Sequence, residues 1–84
     1  MSFFVYILKS VNHDRFYVGY TGEIVEKRLE EHNRGKTSFM ASGMPWVLIF
    51  SKEFNSRSEA VNLETSIKKR GAARFLDNNN IQIG

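Results

Sequence analysis

Two strand-like segments near the N-terminus restrict the fold of this chain most strongly. The first is an apolar run, Phe3–Leu8, and the second is Arg15–Thr21, with only a short polar segment between them. Two such runs joined by a polar loop predict an antiparallel β-hairpin. Because side chains alternate between the two faces of a strand, Tyr6 and Tyr17 can lie on one face of this hairpin.

A glycine accompanies the second tyrosine on that face. Gly19 lies two residues after Tyr17, and a glycine inside a strand leaves room for another backbone or a ligand to approach closely. The alternative is that Tyr6 and Tyr17 are ordinary sheet aromatics, since tyrosine is common in strands for packing reasons alone.

The composition indicates one small folded domain with a mildly basic charge. The 84 residues are 42% hydrophobic and 25% charged, which suits a folded protein with one modest core. We therefore expect a single domain over residues 1–84. The formal net charge of +3 is weak support for a nucleic-acid partner. The basic residues form two groups: Arg34 and Lys36 in one loop, and Lys68, Lys69, Arg70 and Arg74 near the C-terminal end.

Several sequence features bear on the location of the protein. No apolar run is long enough to span a bilayer, and the N-terminal residues resemble a strand rather than a secretory signal. The sequence contains no cysteine, which excludes disulfides and thiolate metal sites. These features favour a cytoplasmic location with no membrane partner.

The rest of the chain predicts helices around one further strand. Thr21 is a candidate N-cap for a helix over 23–32, which Gly35 would end. The polar segment Arg34–Met44 reads as a mobile loop. The apolar run Val47–Phe50 predicts a strand buried on both faces or nearly so.

Two C-terminal helices complete the prediction. Ser56 and Glu59 have capping-box spacing at the start of a helix that would run to about Lys69. Gly71 would end that helix, and a short helix over 72–76 would follow it.

Three polar residues on the predicted helices have candidate chemical roles. Arg28 and His32 lie one turn apart and share a helix face, although an isolated pair of this kind is more often solvated. Glu64 falls inside the apolar stripe of its helix, where a carboxylate must be paired, hydrogen-bonded or bound to a metal. It could form an ion pair, for example with Arg28, or serve as the single carboxylate ligand of a magnesium ion.

Taken in order, these segments resemble the GIY-YIG nuclease domain over residues 3–78. The resemblance is greatest to small stand-alone members related to the N-terminal domain of the bacterial excinuclease C subunit. Phe4-Val5-Tyr6 and Tyr17-Val18-Gly19 are similar to the two signature triplets, with Phe for Gly in the first and Val for Ile in the second. The stretch 28–33 matches the segment that carries the family's catalytic arginine, and 58–69 matches the helix with its metal-binding glutamate.

The resemblance implies an α+β fold in which a three-stranded antiparallel sheet is flanked by three helices, in the order ββαβαα. It also implies a DNA endonuclease that uses one Mg²⁺ or Mn²⁺ ion held by Glu64, with a role in DNA repair. Arg28 would stabilise the phosphate oxygens and Tyr17 would act as base or orient the water. Tyr6 and His32 would assist Tyr17. The implied nucleic-acid contacts are Gly19, Arg34, Lys36, Lys68 and Lys69, and the substrate could be branched or damaged DNA.

Two other functions stay open at this point. One is a nucleic-acid-binding module with little or no catalysis, whose binding would be weak and salt-sensitive. The other is a nuclease subunit that needs a protein partner for specificity, which exposed aromatics at Trp46, Phe54 or Phe75 would favour.

Overall fold

The computed structural model describes residues 2–35 and 38–81. The strands are β1 (Phe3–Ser10), β2 (Phe16–Thr21) and β3 (Trp46–Phe54), and the helices are α1 (Val25–His32), α2 (Ser38–Gly43), α3 (Arg57–Arg70) and α4 (Ala72–Asn78). The predicted α+β class and its three-stranded antiparallel sheet are confirmed.

The predicted hairpin forms, and β1 is the central strand of the sheet. The strand order is β2-β1-β3, and β1 pairs antiparallel with both neighbours. Tyr6 lies opposite Gly19 on β2 and opposite Ser51 on β3. Both faces of β1 are therefore covered, which explains why this strand is the continuous apolar run of the sequence.

Each face of the sheet has its own apolar core. One core contains Val5 and Ile7 of β1, with buried residues of α3 and α4 such as Ile67 and Leu76 packed against them. The other core contains Tyr6 and Leu8, which alternate with the first pair along the strand. Residues of α1, α2 and β3 pack against this second pair: Val25, Met40 and Trp46.

Three local predictions were wrong. Residues 38–43 of the predicted mobile segment form α2, so the element order is ββααβαα among the described residues. The strand β3 lies at an edge of the sheet and is mostly half-buried or exposed, not buried on both faces. Thr21 does not cap α1, because that helix begins at Val25 and the Thr21 hydroxyl instead accepts a hydrogen bond from the Glu23 amide at 3.0 Å.

The C-terminal half of the chain follows its prediction closely. The Ser56 hydroxyl accepts a hydrogen bond from the Glu59 amide and caps α3. Gly71 ends α3 with a backbone φ of 94°, a value that favours glycine. The helix α4 follows at once, so Glu64 lies on a helix that is fixed at both ends.

Candidate active site

Tyr6 and His32 form a buried hydrogen bond beneath the sheet face that α1 covers. The Tyr6 side chain is 1% exposed, and its hydroxyl lies 3.1 Å from His32 Nε2. The other ring nitrogen, Nδ1, lies 3.0 Å from the sulfur of Met40. Since a thioether has no proton to give, Nδ1 carries the proton and Nε2 accepts from the Tyr6 hydroxyl. Burial, followed by the charge of Arg28, lowers the pKa of His32, so the ring is neutral at pH 7.

Tyr17 completes a cluster of three rings. Its ring centre lies 4.4 Å from that of His32 and 6.2 Å from that of Tyr6. The predicted placement of both tyrosines on one sheet face is therefore confirmed. Tyr17 is half-buried whereas Tyr6 is buried, so Tyr17 is the phenol that a ligand in solvent can approach.

Gly19 allows Tyr6 to lie flat against β2. A Cβ atom at position 19 would be 2.7 Å from the Tyr6 hydroxyl oxygen and 2.9 Å from Cζ. These distances are shorter than side chains tolerate, so any larger residue would displace the Tyr6 ring. The space that the glycine leaves is occupied by Tyr6.

Arg28 lies against this cluster from α1. Its Nη1 donates to Glu31 Oε1 at 2.8 Å, and the Arg28 side chain is 35% exposed. Its Nε is buried without a hydrogen-bond partner among the described residues. Burial raises the pKa of Tyr6, while a hydrogen bond from Arg28 opposes that rise. The arginine is therefore next to the Tyr6 hydroxyl and is not part of the solvated Arg–His pair that the sequence left open.

Glu64 reaches the same region from α3, which packs on the opposite face of the sheet. Its side chain is 15% exposed and forms an ion pair with Lys68 at 3.2 Å. The suggested ion pair with Arg28 is wrong, because Arg28 pairs with Glu31 instead. The negative charge of Glu64 nevertheless contributes to the raised pKa of Tyr6. The hydroxyl of Tyr6 is thus within electrostatic range of Arg28, Tyr17 and Glu64 together.

This arrangement coincides with a known domain. The family model of the GIY-YIG catalytic domain matches residues 2–78. The chain belongs to the GIY-YIG catalytic domain family. Tyr6, Tyr17 and Gly19 all lie within the residues that this GIY-YIG model matches.

The relatives of this GIY-YIG chain are small bacterial proteins. A UPF0213 protein of Enterococcus faecalis is 44% identical over 64% of this chain and 64% of its own length. A UPF0213 protein of Staphylococcus haemolyticus is 39% identical over 77% of this chain and 78% of its own length. The solution structure of UPF0213 protein BH0048 from Bacillus halodurans aligns with a TM-score of 0.58 and 26% identity, covering 95% of this chain and 84% of that chain.

Glu64 is the residue that the resemblance implies as the metal ligand of this GIY-YIG site. Among residues 2–35 and 38–81, no group of three His, Cys, Asp or Glu side chains could hold a metal ion. Zinc is ordinarily held by three or four protein ligands, whereas magnesium is commonly held by one or two carboxylates with water and phosphate. The donor set around Glu64 therefore fits magnesium or manganese better than zinc.

The expected nucleic-acid contacts differ in their surroundings. Arg34 is exposed but forms an ion pair with Glu30 at 2.9 Å on α1. Lys68 is bound to Glu64, and Lys69 is exposed beside it on α3. Gly19 lies under Tyr6. Lys36 lies outside the described residues.

The aromatics that would favour a partner-dependent subunit are fully or partly covered. Trp46 is 2% exposed, and its indole donates to the Met40 carbonyl at 3.0 Å. Phe54 and Phe75 are half-buried and pack against the first core. Trp46 is therefore covered, and Phe54 and Phe75 are only partly exposed.

Three residues that support the site were not singled out from the sequence. Glu31 holds Arg28, and Met40 accepts from the His32 ring. The Asn33 side chain bonds both backbone groups of Trp46, at 3.1 and 2.7 Å, and so fixes the end of α1 to β3. The only sequence signal for Asn33 is its position directly after His32 in the stretch that resembles the family.

Among residues 2–35 and 38–81, no helix is both long and apolar enough to cross a bilayer.

Proposed function

We propose that this GIY-YIG protein is a divalent-metal-dependent endonuclease that hydrolyses phosphodiester bonds in DNA, including branched or damaged DNA, in the cytoplasm. The observation that supports this most is the electrostatic environment of one buried hydroxyl. Tyr6 is hydrogen-bonded to His32 and lies within the fields of Arg28, Tyr17 and Glu64. In phosphodiester hydrolysis a cation can stabilise the phosphate oxygens, a phenol can orient or activate water, and a carboxylate can hold a metal ion.

Tyr17 is the residue best placed to handle the attacking water. Tyr6 is buried with a raised pKa, and its hydroxyl proton is committed to His32. Both ring nitrogens of His32 also have partners. Tyr17 is half-buried beside them, so its hydroxyl can orient the attacking water molecule. To act as the base it would first release its own proton to solvent and then accept that of the water. Tyr6 and His32 then act as positioning residues that hold the Tyr17 ring.

Arg28 supplies the positive charge for the reacting phosphate. A guanidinium is a planar fork of donors that matches two phosphate oxygens. Although Nη1 is bound to Glu31, the Arg28 side chain is 35% exposed, so a phosphate can reach the guanidinium. Its charge stabilises the oxygens as negative charge develops on them.

Glu64 would hold the metal ion, either Mg²⁺ or Mn²⁺. When bound, the ion supplies Lewis-acid stabilisation of the leaving oxygen. The low exposure of Glu64 strengthens its interactions with cations, because the local dielectric is reduced. Without a bound metal ion, Lys68 neutralises the charge of the Glu64 carboxylate.

Cleavage of supercoiled plasmid and of a branched DNA duplex tests the proposal. The purified protein is incubated with magnesium or manganese, and nicking is compared with that of Glu64→Gln and Tyr17→Phe. Matched controls are Glu26→Gln, an exposed carboxylate on α1, and Tyr20→Phe, a half-buried tyrosine of β2 that packs in the other core.

We expect nicking to be lost in Glu64→Gln and Tyr17→Phe and retained in both controls, with all four variants folded by circular dichroism. If the wild-type protein nicks no better than Glu64→Gln across substrates and metals, the endonuclease proposal is wrong. A DNA-binding module or a partner-dependent subunit would then account better for the site.

A further inference from the structure

A cleft of about 500 Å³ adjoins the candidate active site. It lies between the start of β2 and the junction of α3 with α4. Its lining residues are Phe16, Tyr17, Val18, Lys68, Gly71 and Ala72. Gly71 leaves the helix junction open, because a Cβ atom there would have no neighbour within 4 Å.

The cleft is continuous with the reacting groups. Tyr17 lines both the cleft and the ring cluster, and Lys68 lines the cleft while it is bound to Glu64 at 3.2 Å. Lys68 follows Glu64 by one helical turn, which corresponds to about 6 Å along α3. An extended ligand that contacts Glu64 and continues along α3 would therefore contact Lys68 and then enter the cleft.

The charges of the two helical layers are distributed differently. On α1 and beside it, the basic side chains are neutralised by neighbouring carboxylates, in the pairs Lys27–Glu23, Arg28–Glu31 and Arg34–Glu30 at 2.7 to 2.9 Å. On the other side, Lys69, Arg70 and Arg74 are exposed. No ion pair joins any of these three to another residue of the described chain. Lys69 and Arg70 lie between the lining residues Lys68 and Gly71 in sequence, and Arg74 lies two residues after the lining residue Ala72, so three exposed cations are close in sequence to the cleft lining.

A structural role explains only part of this group of exposed cations. Basic residues in the last turn of a helix complement its dipole, which accounts for Lys69 and Arg70 at the end of α3. Arg74 lies on α4 instead, so the dipole of α3 does not explain it. The three cations thus lie on both sides of the α3–α4 junction in sequence rather than at one helix end.

We propose that this cleft receives the DNA strand on one side of the scissile phosphate. Lys68 contacts the flanking phosphate, and Lys69, Arg70 and Arg74 follow the backbone as the strand leaves the site. The inference rests on the proposed function, since it places the scissile phosphate at Arg28 and Glu64. Because these are contacts to phosphates, the surface positions the strand without reading its sequence.

Two double variants with the same change of charge test the path of the strand. Lys69→Gln/Arg74→Gln removes two cations that follow the cleft lining in sequence, and Lys27→Gln/Lys52→Gln removes two exposed cations of α1 and β3. Binding of a fluorescein-labelled duplex is measured in EDTA over a range of salt concentrations. We expect the first variant to bind roughly tenfold more weakly at low salt, with a salt slope smaller by about 2, and the second to bind nearly as the wild type does.

Amide chemical shifts of the isotope-labelled protein, measured under the same solution conditions, locate the bound DNA strand. Adding unlabelled DNA should shift Phe16, Tyr17, Val18, Gly71 and Ala72 more than the amides of α1. Shifts concentrated on α1, or equal weakening in both double variants, would overturn the cleft proposal.

The failure of this proposal is distinguishable from that of the endonuclease proposal, because neither measurement requires cleavage. Binding through the cleft by a protein that never nicks DNA would overturn the endonuclease function and leave the cleft in place. Normal nicking with undiminished binding by Lys69→Gln/Arg74→Gln would overturn the cleft alone.

Discussion

At the scale of single residues, Arg28 depends on a carboxylate of its own helix. Glu31 accepts from Nη1 at 2.8 Å and is itself only 27% exposed, so it fixes the guanidinium against the ring cluster. Replacing Glu31 with Gln should weaken this hold and lower kcat for DNA cleavage by roughly tenfold, because catalysis is sensitive to small displacements of positioned groups. DNA binding should stay equal or become tighter, since a negative charge near the phosphate is removed.

The matched control is Glu30→Gln. Glu30 neighbours Glu31 in the chain but pairs with the exposed Arg34, so the variant removes the same charge without releasing Arg28. Single-turnover kinetics and DNA-binding titrations separate the two effects. Equal kcat values in Glu31→Gln and the wild type would contradict a positioning role for Glu31.

The buried His32 should make stability depend on pH. Burial and Arg28 lower its pKa from the ordinary value of 6.5, so the folded protein binds a proton less readily than the unfolded chain does. The stabilisation is therefore complete above about pH 6.5 and is lost as the pH falls through the folded pKa. Denaturant midpoints measured from about pH 8 to pH 5 should decline below about pH 6.5.

Two histidine variants separate this effect from general acid destabilisation. His32→Gln should flatten the decline, because the group responsible is gone. His13→Gln changes the exposed histidine of the β1–β2 loop and should keep the wild-type profile. A decline of the same size in His32→Gln would assign the pH dependence to other groups.

At the scale of elements, the packing of Tyr6 within the β1–β2 hairpin depends on the absence of a side chain at Gly19. In Gly19→Ala the new methyl group would meet the Tyr6 hydroxyl at 2.7 Å and push the ring from its place, which should cost about 1–3 kcal/mol of unfolding free energy. The Tyr6–His32 hydrogen bond would be lost with it, and cleavage should fall. Gly22→Ala is the control, because its methyl group would meet Phe3 only at an ordinary 3.5 Å. Similar denaturation midpoints for the two variants would contradict this account.

The elements also show which parts of the fold could be predicted from sequence. The hairpin and α3 carry local signals, namely alternation, a capping serine and a terminal glycine, and both formed as predicted. The helix α2 has no charged residue to mark it, and it contacts the second core through Met40. The strand β3 is as apolar as β1, and only the pairing of strands decides which of them is central. Contacts distant in sequence determined these two outcomes.

The same distinction holds for the candidate site. Tyr6, Tyr17, Arg28, His32 and Glu64 could be named from the sequence because their residue types and order resemble a known family. Their hydrogen-bond partners could not be named, because a bond such as that from His32 to Met40 depends on how a separate helix packs. The Lys68 partner of Glu64 lies one turn away on the same helix, so helical spacing could have identified it.

At the scale of the whole molecule, β1 joins the two cores. Its odd-numbered residues Val5 and Ile7 face α3 and α4, whereas Tyr6 and Leu8 face α1 and α2. Because both cores contain residues of β1, the displacement of β1 from one core would expose the other core to solvent. The described part of the chain should therefore unfold as one cooperative unit, although Glu64 and Arg28, to which we assign catalytic roles, lie in different layers.

A cavity in one core tests this cooperativity through a probe in the other. Ile67 is fully buried in the first core, and Trp46, the one tryptophan of the sequence, is buried in the second. Ile67→Ala should lower the unfolding free energy by about 2–5 kcal/mol. The shift in midpoint seen by Trp46 fluorescence should equal the shift seen by helical circular dichroism, to which the 14-residue α3 contributes most. Val11→Ala, at an exposed loop position, should shift neither signal.

If Ile67→Ala moved the dichroism transition and left the fluorescence transition in place, the two cores would unfold separately. Glu64 could then leave the site while Tyr6 and His32 stayed folded.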